Sequence, residues 1–348
     1  MTFGGAVRYN TAPAMLTTPS ERTYLEALAA FAQDLRPDAD AMDSRADVLG
    51  TWYDRFQAQG LNAGWAPRQP LSGRGFCEAL ATLSRESGAF AFVALQQIVA
   101  NGIIGGKRFD DAAATAPWPK VGVAFGHLRS PDGPAPILVA GRASGPVPWL
   151  TGAGLFEKVV LGLRTSNGEE VLALVDGHDR PAFRHGPPLP LAACAGTRTV
   201  RVTIENLAVG DADVLAVRPR GAMQRSDAGG VLFQTPLLVG CVEACRDLVR
   251  ASPRVPDDQK AHCEAATDAL LGRVRDAFDR DAAEEGQRLR AQLGDFTVRL
   301  ARLSVMACGG GALAVGHPAQ RLYREALLYS LMAQTDAIVG QAFEEVFR

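Results

Sequence analysis

Residues 145–163 read Gly145-Pro146-Val147-Pro148-Trp149-Leu150-Thr151-Gly152-Ala153, four further residues, then Lys158-Val159-Val160-Leu161-Gly162-Leu163. The second part is a short apolar run with turn residues before it, the signature of a buried strand. The first part sets an indole and a hydroxyl two residues apart just ahead of that strand. Such a pair reads either as a core tryptophan beside a turn or as the wall of a site for a planar ligand with polar edges. Working outward, Val121 to Phe125, Ile137 to Ala140, Val171 to Val175 and Thr199 to Ile204 also read as strands. In the last, Val200, Val202 and Ile204 alternate with Thr199, Arg201 and Thr203. No long helix separates these runs, which predicts an antiparallel sheet or barrel rather than βαβ units.

Both flanks of this zone are helical in pattern. On the N-terminal side Thr18-Pro19-Ser20-Glu21 forms a capping box with proline at the first helical position. Tyr24, Leu25, Leu28, Phe31 and Leu35 follow at helical spacing until Arg36-Pro37-Asp38 ends the helix. A second helix holds Leu49, Trp52 and Phe56, a third covers Phe76 to Ser87, and a fourth runs from Gly88 to about Gly102. On the C-terminal side, stripes of Leu237, Val242, Cys245 and Leu248, of Leu270, Leu271, Val274 and Phe278, and of Leu289, Leu293, Phe296 and Leu300 predict three helices. A last helix carries Leu322, Ala326, Tyr329 and Ile338, and Gly309-Gly310-Gly311 separates it from the third. The expected organisation is α+β in three parts: an N-terminal helical domain over 1–115, a middle β-domain over 116–222 and a C-terminal helical bundle over 223–348.

Composition removes several classes. The 348 residues are 47% apolar and 21% charged with a formal charge of −2. That balance carries no electrostatic footprint for nucleic acid and excludes a disordered chain. No apolar run reaches the length of a membrane span, and residues 1–15 lack the pattern of a signal peptide. Six cysteines without a C-x-x-C pair give no zinc spacing and fit a reducing, cytoplasmic setting. Cys241 and Cys245, one helical turn apart, read as two small buried side chains. His127, His178, His185, His262 and His317 are scattered without metal-ligand spacing. Neither a Walker loop nor a G-x-S-x-G elbow is present.

Three stretches together carry a family resemblance. Gly145 to Ala153 resembles the G-x-x-x-W-[IV]-T-[NG] segment of the acyl-CoA dehydrogenase superfamily. Gly309-Gly310-Gly311 followed by His317-Pro318-Ala319-Gln320-Arg321-Leu322-Tyr323-Arg324-Glu325-Ala326 is similar to its G-G-x-G…P-x-x-R-x-x-R-D-A. Thr199 to Val209 is similar to the strand that ends its middle domain, and Arg36-Pro37…Asp43 fits its N-terminal helices. The resemblance covers nearly the whole chain in the family's order. It implies an acyl-CoA dehydrogenase-like fold, a flavin cofactor (FAD, alternatively FMN or none), and a homodimer or homotetramer. It further implies that Trp149 packs on the flavin ring, that the Thr151 hydroxyl bonds near its reactive nitrogen, and that backbone amides of Phe125, Gly126 and His127 meet its edge. Gln334 and Thr335 fall on the family's G-T positions beside the flavin.

The departures bear on function. The family's usual glutamate base corresponds to Ala333, which cannot take a proton. A subset of the family carries its base on the first C-terminal helix, near Asp257 and Asp258, which read equally well as a solvated N-terminal turn. The family's flavin and thioester loop is replaced by Phe125-Gly126-His127-Leu128-Arg129-Ser130. Its diphosphate-binding arginine motif is missing, with Arg250 and Arg254 nearby, and the third zone is trimmed. The catalytic residues are therefore left unassigned. The reading is an FAD-dependent dehydrogenase-like oxidoreductase acting at the α,β carbons of an acyl thioester on coenzyme A or a carrier protein. The alternatives are a flavin-dependent monooxygenase of the same fold, with His127 or Ser130 near the flavin, and a non-catalytic homologue.

Overall fold

The computed structural model describes residues 19–62, 71–105, 119–225, 231–280, 283–332 and 336–346. The N-terminal helices are α1 (Pro19–Leu35), α2 (Ala39–Ser44), α3 (Ala46–Ala58), α4 (Gly73–Glu86) and α5 (Gly88–Gly105). The six-residue α2 has too few apolar positions to show a period in the sequence. Thr18 lies outside the described residues. Glu21 accepts a 2.7 Å bond from the Ser72 hydroxyl, which in turn caps α4 by accepting from Gly75 N–H. α5 is apolar around most of its circumference and is covered on most sides.

Strands β1 (Val121–Ala124), β2 (Ile137–Val139), β3 (Arg142–Leu150), β4 (Lys158–Thr165), β5 (Glu170–Asp176), β6 (Phe183–Pro188), β7 (Val200–Ala208) and β8 (Val214–Arg218) form one sheet. Its order is β6-β7-β3-β2-β4-β5-β8, with β1 beside β4. The sheet is mixed, a correction to the expected antiparallel one. β1 pairs in parallel with the first half of β4, Val121 opposite Lys158, and β2 in parallel with its end, Ile137 opposite Arg164. β3, β6 and β8 were not expected. In β3 the obstacle is Pro146 and Pro148, which read as a loop. β2 covers β3 only over Arg142 to Ser144, and beyond it β3 is bonded to β7 alone. Pro146 and Pro148 lie in this part, where the register against β7 shifts between Val147 and Leu150.

The C-terminal helices are α6 (Thr235–Ala251), α7 (Asp257–Arg280), α8 (Ala283–Cys308), α9 (Pro318–Leu331) and α10 (Asp336–Val346). The expected last helix is thus two helices, with Tyr329 on α9 and Ile338 on α10. Helices of both ends share one apolar core, in which Leu80, Leu83 and Phe90 lie with Leu238, Val242, Leu293 and Tyr329. The two faces of the sheet carry cores of their own. None of the described helices is long and apolar enough to cross a membrane.

β1 and β2 are one strand neighbour of β4 interrupted by the loop 125–136, and the interruption is built around β4. Gly162 lies at the gap: a Cβ there would sit 2.7 Å from the Phe125 Cβ and 2.8 Å from a Leu128 methyl. Its carbonyl, left without a strand partner, accepts from Nε2 of His127 at 3.0 Å. Two residues on, the buried Arg164 guanidinium donates to the carbonyls of Gly133, Ser130 and His127. The loop amides of Leu128, Ser130 and Gly133 bond within the loop itself. Phe125 and Leu128 fill the core beneath.

A second loop, residues 194–199, ties the sheet to the helices. Cys194 and Arg198 both have left-handed backbone, and the Cys194 N–H donates to the buried Asp43 carboxylate of α2 at 2.6 Å. Gly196 lies so close to α2 that a Cβ would run into the Met42 carbonyl oxygen. Gly196→Ala is therefore expected to lift this loop from α2 and cost about 2 kcal/mol in urea unfolding. A second expectation concerns His127, whose pKa burial pushes down to about 4 from 6.5. The unfolded chain binds the proton first, so the stabilisation is complete above about pH 6.5 and lost as pH falls through about 4. The loss is about 3 kcal/mol. His127→Gln, whose amide can donate to the same carbonyl without titrating, should flatten unfolding free energy across that interval. An unchanged slope would assign the pH dependence elsewhere.

Candidate functional site

Trp149 stands near the end of β3 with its neighbours Val147 and Leu150 fully buried, and its own side chain 39% exposed. The exposed indole is the one large aromatic surface that the sheet leaves open among its described strands. Its Nε1–H donates to the Thr151 hydroxyl at 3.0 Å. Gly152, with φ of +76°, then turns the chain back, and its N–H and that of Ala153 bond to the carbonyls of Thr197 and Arg198. This turn brings Thr151 to 3.2 Å from Thr199, which is 3.1 Å from Thr197, whose hydroxyl donates to the Cys194 carbonyl at 2.7 Å. Three threonine hydroxyls thus line up behind an exposed aromatic plane. Sequence reading found Trp149 and Thr151. It missed Thr197 and Thr199, although Thr197-Arg198-Thr199 directly before an alternating strand was a visible signal.

The other expected site residues are placed differently. Gly126 is exposed, but the Phe125 ring faces the core and the His127 ring faces Gly162. His127 is neutral at physiological pH, and its Nδ1 is buried without a partner. Ser130 is exposed, with its carbonyl held by Arg164. Gln334, Thr335 and Ala333 lie outside the described residues. Asp257 and Asp258 open α7 on the surface, and the Asp257 carboxylate is 99% exposed and paired with Lys260. Arg250 is paired with Asp247 and Glu264. The Arg254 guanidinium has no carboxylate partner among the described residues. It packs over Gly309, which has φ of +78°, while Gly310 and Gly311 face open space.

A polar cluster lies behind the 194–199 loop. Arg321 and Arg324, three residues apart on α9, meet Asp40 and Asp43, three residues apart on α2, at 2.7 and 2.6 Å. Arg321 also binds Glu325 at 2.8 Å, and Arg324 donates to the Ala192 carbonyl. Burial raises the Glu325 pKa against the pull of Arg321, and it pushes the Cys194 thiol well up. Asp43, Cys194 and Glu325 offer ligand atoms within 4.8 Å of one another. Two arginines already neutralise the carboxylates, and the thiol is held protonated, so the cluster has the chemistry of a structural junction. Next to it an open groove of about 530 Å³ is lined in part by Asp40, Ser44, Leu191, Gln320 and Arg324.

No family model matches the chain, and no curated protein matches it by sequence. Solved structures do match by shape. KijD3 in complex with FMN and dTDP-3-amino-2,3,6-trideoxy-4-keto-3-methyl-D-glucose is 18% identical, with 98% of this chain and 96% of that one covered at a TM-score of 0.72. The nitrososynthase of Micromonospora carbonacea var. africana is also 18% identical, with 98% of each chain covered at 0.74. The butyryl-CoA dehydrogenase of Megasphaera elsdenii is 13% identical, with 96% and 100% covered at 0.70. The matches span nearly the whole of both chains, so the expected trimming removes no domain. The helical ends around a mixed sheet, in the order the motifs implied, give this chain the acyl-CoA dehydrogenase fold.

Proposed function

We propose that this chain is a flavin-dependent oxidoreductase of the monooxygenase kind, acting on a small molecule. The fit of the residues to a flavin rests on three features. Trp149 offers an exposed aromatic plane for the ring, Thr151 a polar atom beside it, and Arg254 an unpaired guanidinium over an open glycine loop suited to a phosphate. When bound, the flavin supplies two-electron redox chemistry. The observation that carries the monooxygenase reading is that neither expected base position holds a buried carboxylate. The family's base position is Ala333, and the aspartates nearest the alternative position are exposed to solvent. Glu325, the buried carboxylate of α9, is bound by Arg321 and has no exposed surface.

Abstraction of an α-proton from an acyl thioester needs a desolvated base within hydrogen-bond reach. Oxygen insertion does not need one. In that overall reaction one atom of O₂ enters the substrate and the other leaves as water, with two electrons and two protons drawn from reduced flavin. The likeness to the HsaA monooxygenase of M. tuberculosis supports this class, and the FMN and amino-sugar nucleotide in the KijD3 complex suggest FMN and a polar amine-bearing substrate here. The retained Trp149 and Thr151 favour a second reading, dehydrogenation of an acyl thioester, which FAD would serve. A cytoplasmic homo-oligomer is part of the proposal. Tyr323, Leu327 and Leu331 recur every four residues on α9 and are all exposed, as are Leu303 and Met306 on α8. A face of that size on a monomer is a contact surface.

The purified protein mixed with flavin decides between the readings. Anaerobic butyryl-CoA and longer acyl-CoA thioesters should leave the flavin spectrum unbleached, whereas bleaching selects the dehydrogenase. Thr151→Val should weaken binding of dithionite-reduced flavin about tenfold, the worth of one hydrogen bond. Unchanged affinity removes Thr151 from the site. Leu327→Asp should shift the mass seen by light scattering toward the monomer, and an unchanged mass places the interface elsewhere.

A further inference from the structure

The hydroxyls behind Trp149 have only one consistent set of directions. The Cys194 carbonyl can only accept, so Thr197 donates to it at 2.7 Å and has no hydrogen left for Thr199. Thr199 therefore donates to Thr197 across 3.1 Å, and Thr151 donates to Thr199 across 3.2 Å. All three hydroxyls are about 1% exposed, and the far end is fixed because Cys194 is itself held by its N–H on Asp43. The Thr151 hydrogen consequently points inward. Toward the indole its oxygen presents a lone pair, which the Trp149 N–H occupies. This face is thus an acceptor, and the group that replaces the indole N–H there must be a donor.

Resting on the proposed flavin site, we infer that Thr197 and Thr199 are positioning residues that make the site favour reduced over oxidised flavin. Oxidised isoalloxazine has a single edge N–H, and the unsubstituted nitrogen of its central ring carries a lone pair. Two-electron reduction adds hydrogen to the central ring and turns an acceptor edge into a donor edge. A threonine whose hydrogen is free to turn would serve either state. One whose hydrogen is committed inward meets the oxidised edge lone pair to lone pair and accepts from the reduced edge. Neighbouring hydroxyls donating in the same sense reinforce the polarisation. Trp149 acts as the internal substitute donor that keeps this buried lone pair satisfied when no ligand is bound.

The test is the ratio of dissociation constants for oxidised and dithionite-reduced FMN and FAD, measured anaerobically by ultrafiltration on the full chain. The expected preference for the reduced form is at least tenfold, equal to a rise of about 30 mV in the potential of the bound flavin. Thr199→Val removes the acceptor for the Thr151 hydrogen and lets it turn outward, so binding of oxidised flavin should tighten and the ratio fall toward one. Thr199→Ser keeps the hydroxyl and should restore the preference, which separates polarisation from packing. Equal or tighter binding of oxidised flavin by the wild type overturns the inference, as does a ratio unmoved in a folded Thr199→Val while flavin still binds. Failure to bind either redox state overturns the flavin reading itself and the inference with it.

Discussion

The buried carboxylate of Asp43 is the contact on which the three parts of the molecule converge. It sits on α2, accepts the Cys194 N–H from the loop that leaves the sheet, and pairs with Arg324 of α9. One side chain thus fixes the N-terminal helices, the sheet and the C-terminal helices at a single point. A buried ion pair of this kind adds little net stability over an apolar packing, but removal of one partner leaves an uncompensated charge. Its use here is geometric. It fixes the Cys194 peptide, whose carbonyl sets the direction of the Thr197, Thr199 and Thr151 hydroxyls. The exposed indole of Trp149 is therefore oriented, through five intervening groups, by a helix of the opposite end of the chain.

The same contact explains why the fold was legible in certain stretches. The R-x-x-R spacing of Arg321 and Arg324 was part of the resemblance read from the sequence, and its physical content is a match to the equal spacing of Asp40 and Asp43. Residues three apart lie on one helix face, so two arginines and two aspartates can dock as a unit. The partner helix α2 was invisible because six residues display no apolar period. The prolines of β3 hid a strand, and the parallel pairing of β1 and β2 with β4 could not be read from runs that looked alike in either direction. Helices with long apolar stripes were found nearly at their true bounds. Burying such a stripe stabilises the fold more than any turn or cap does, and it imposes the clearest pattern on the chain.

The candidate site was legible in part for a related reason. Trp149 and Thr151 belong to a short motif whose geometry is local. Phe125, Gly126 and His127 were assigned to the flavin edge through their backbone amides, and the side chains of Phe125 and His127 face inward. In this loop the interrupted strand leaves the Gly162 carbonyl bare, and a histidine meets it. The arrangement trades a ladder hydrogen bond for a side-chain one and commits the imidazole to structure. A sequence shows that a histidine is present in a loop. Which carbonyl lacks a strand partner is known only after the strands are paired.

The prolines of β3 have a consequence for the molecule as a neighbour of other chains. A strand with one free side is a template onto which a foreign strand can add, and it requires a row of donors and acceptors to do so. Pro146 and Pro148 remove donors from that row at alternate positions, next to the most exposed aromatic of the sheet. An apolar plane beside an open strand edge is the usual seed for sheet-to-sheet aggregation. The two missing donors make strand addition along this part of β3 less favourable. Trp149 thus presents its exposed apolar face beside a stretch of strand poor in backbone donors.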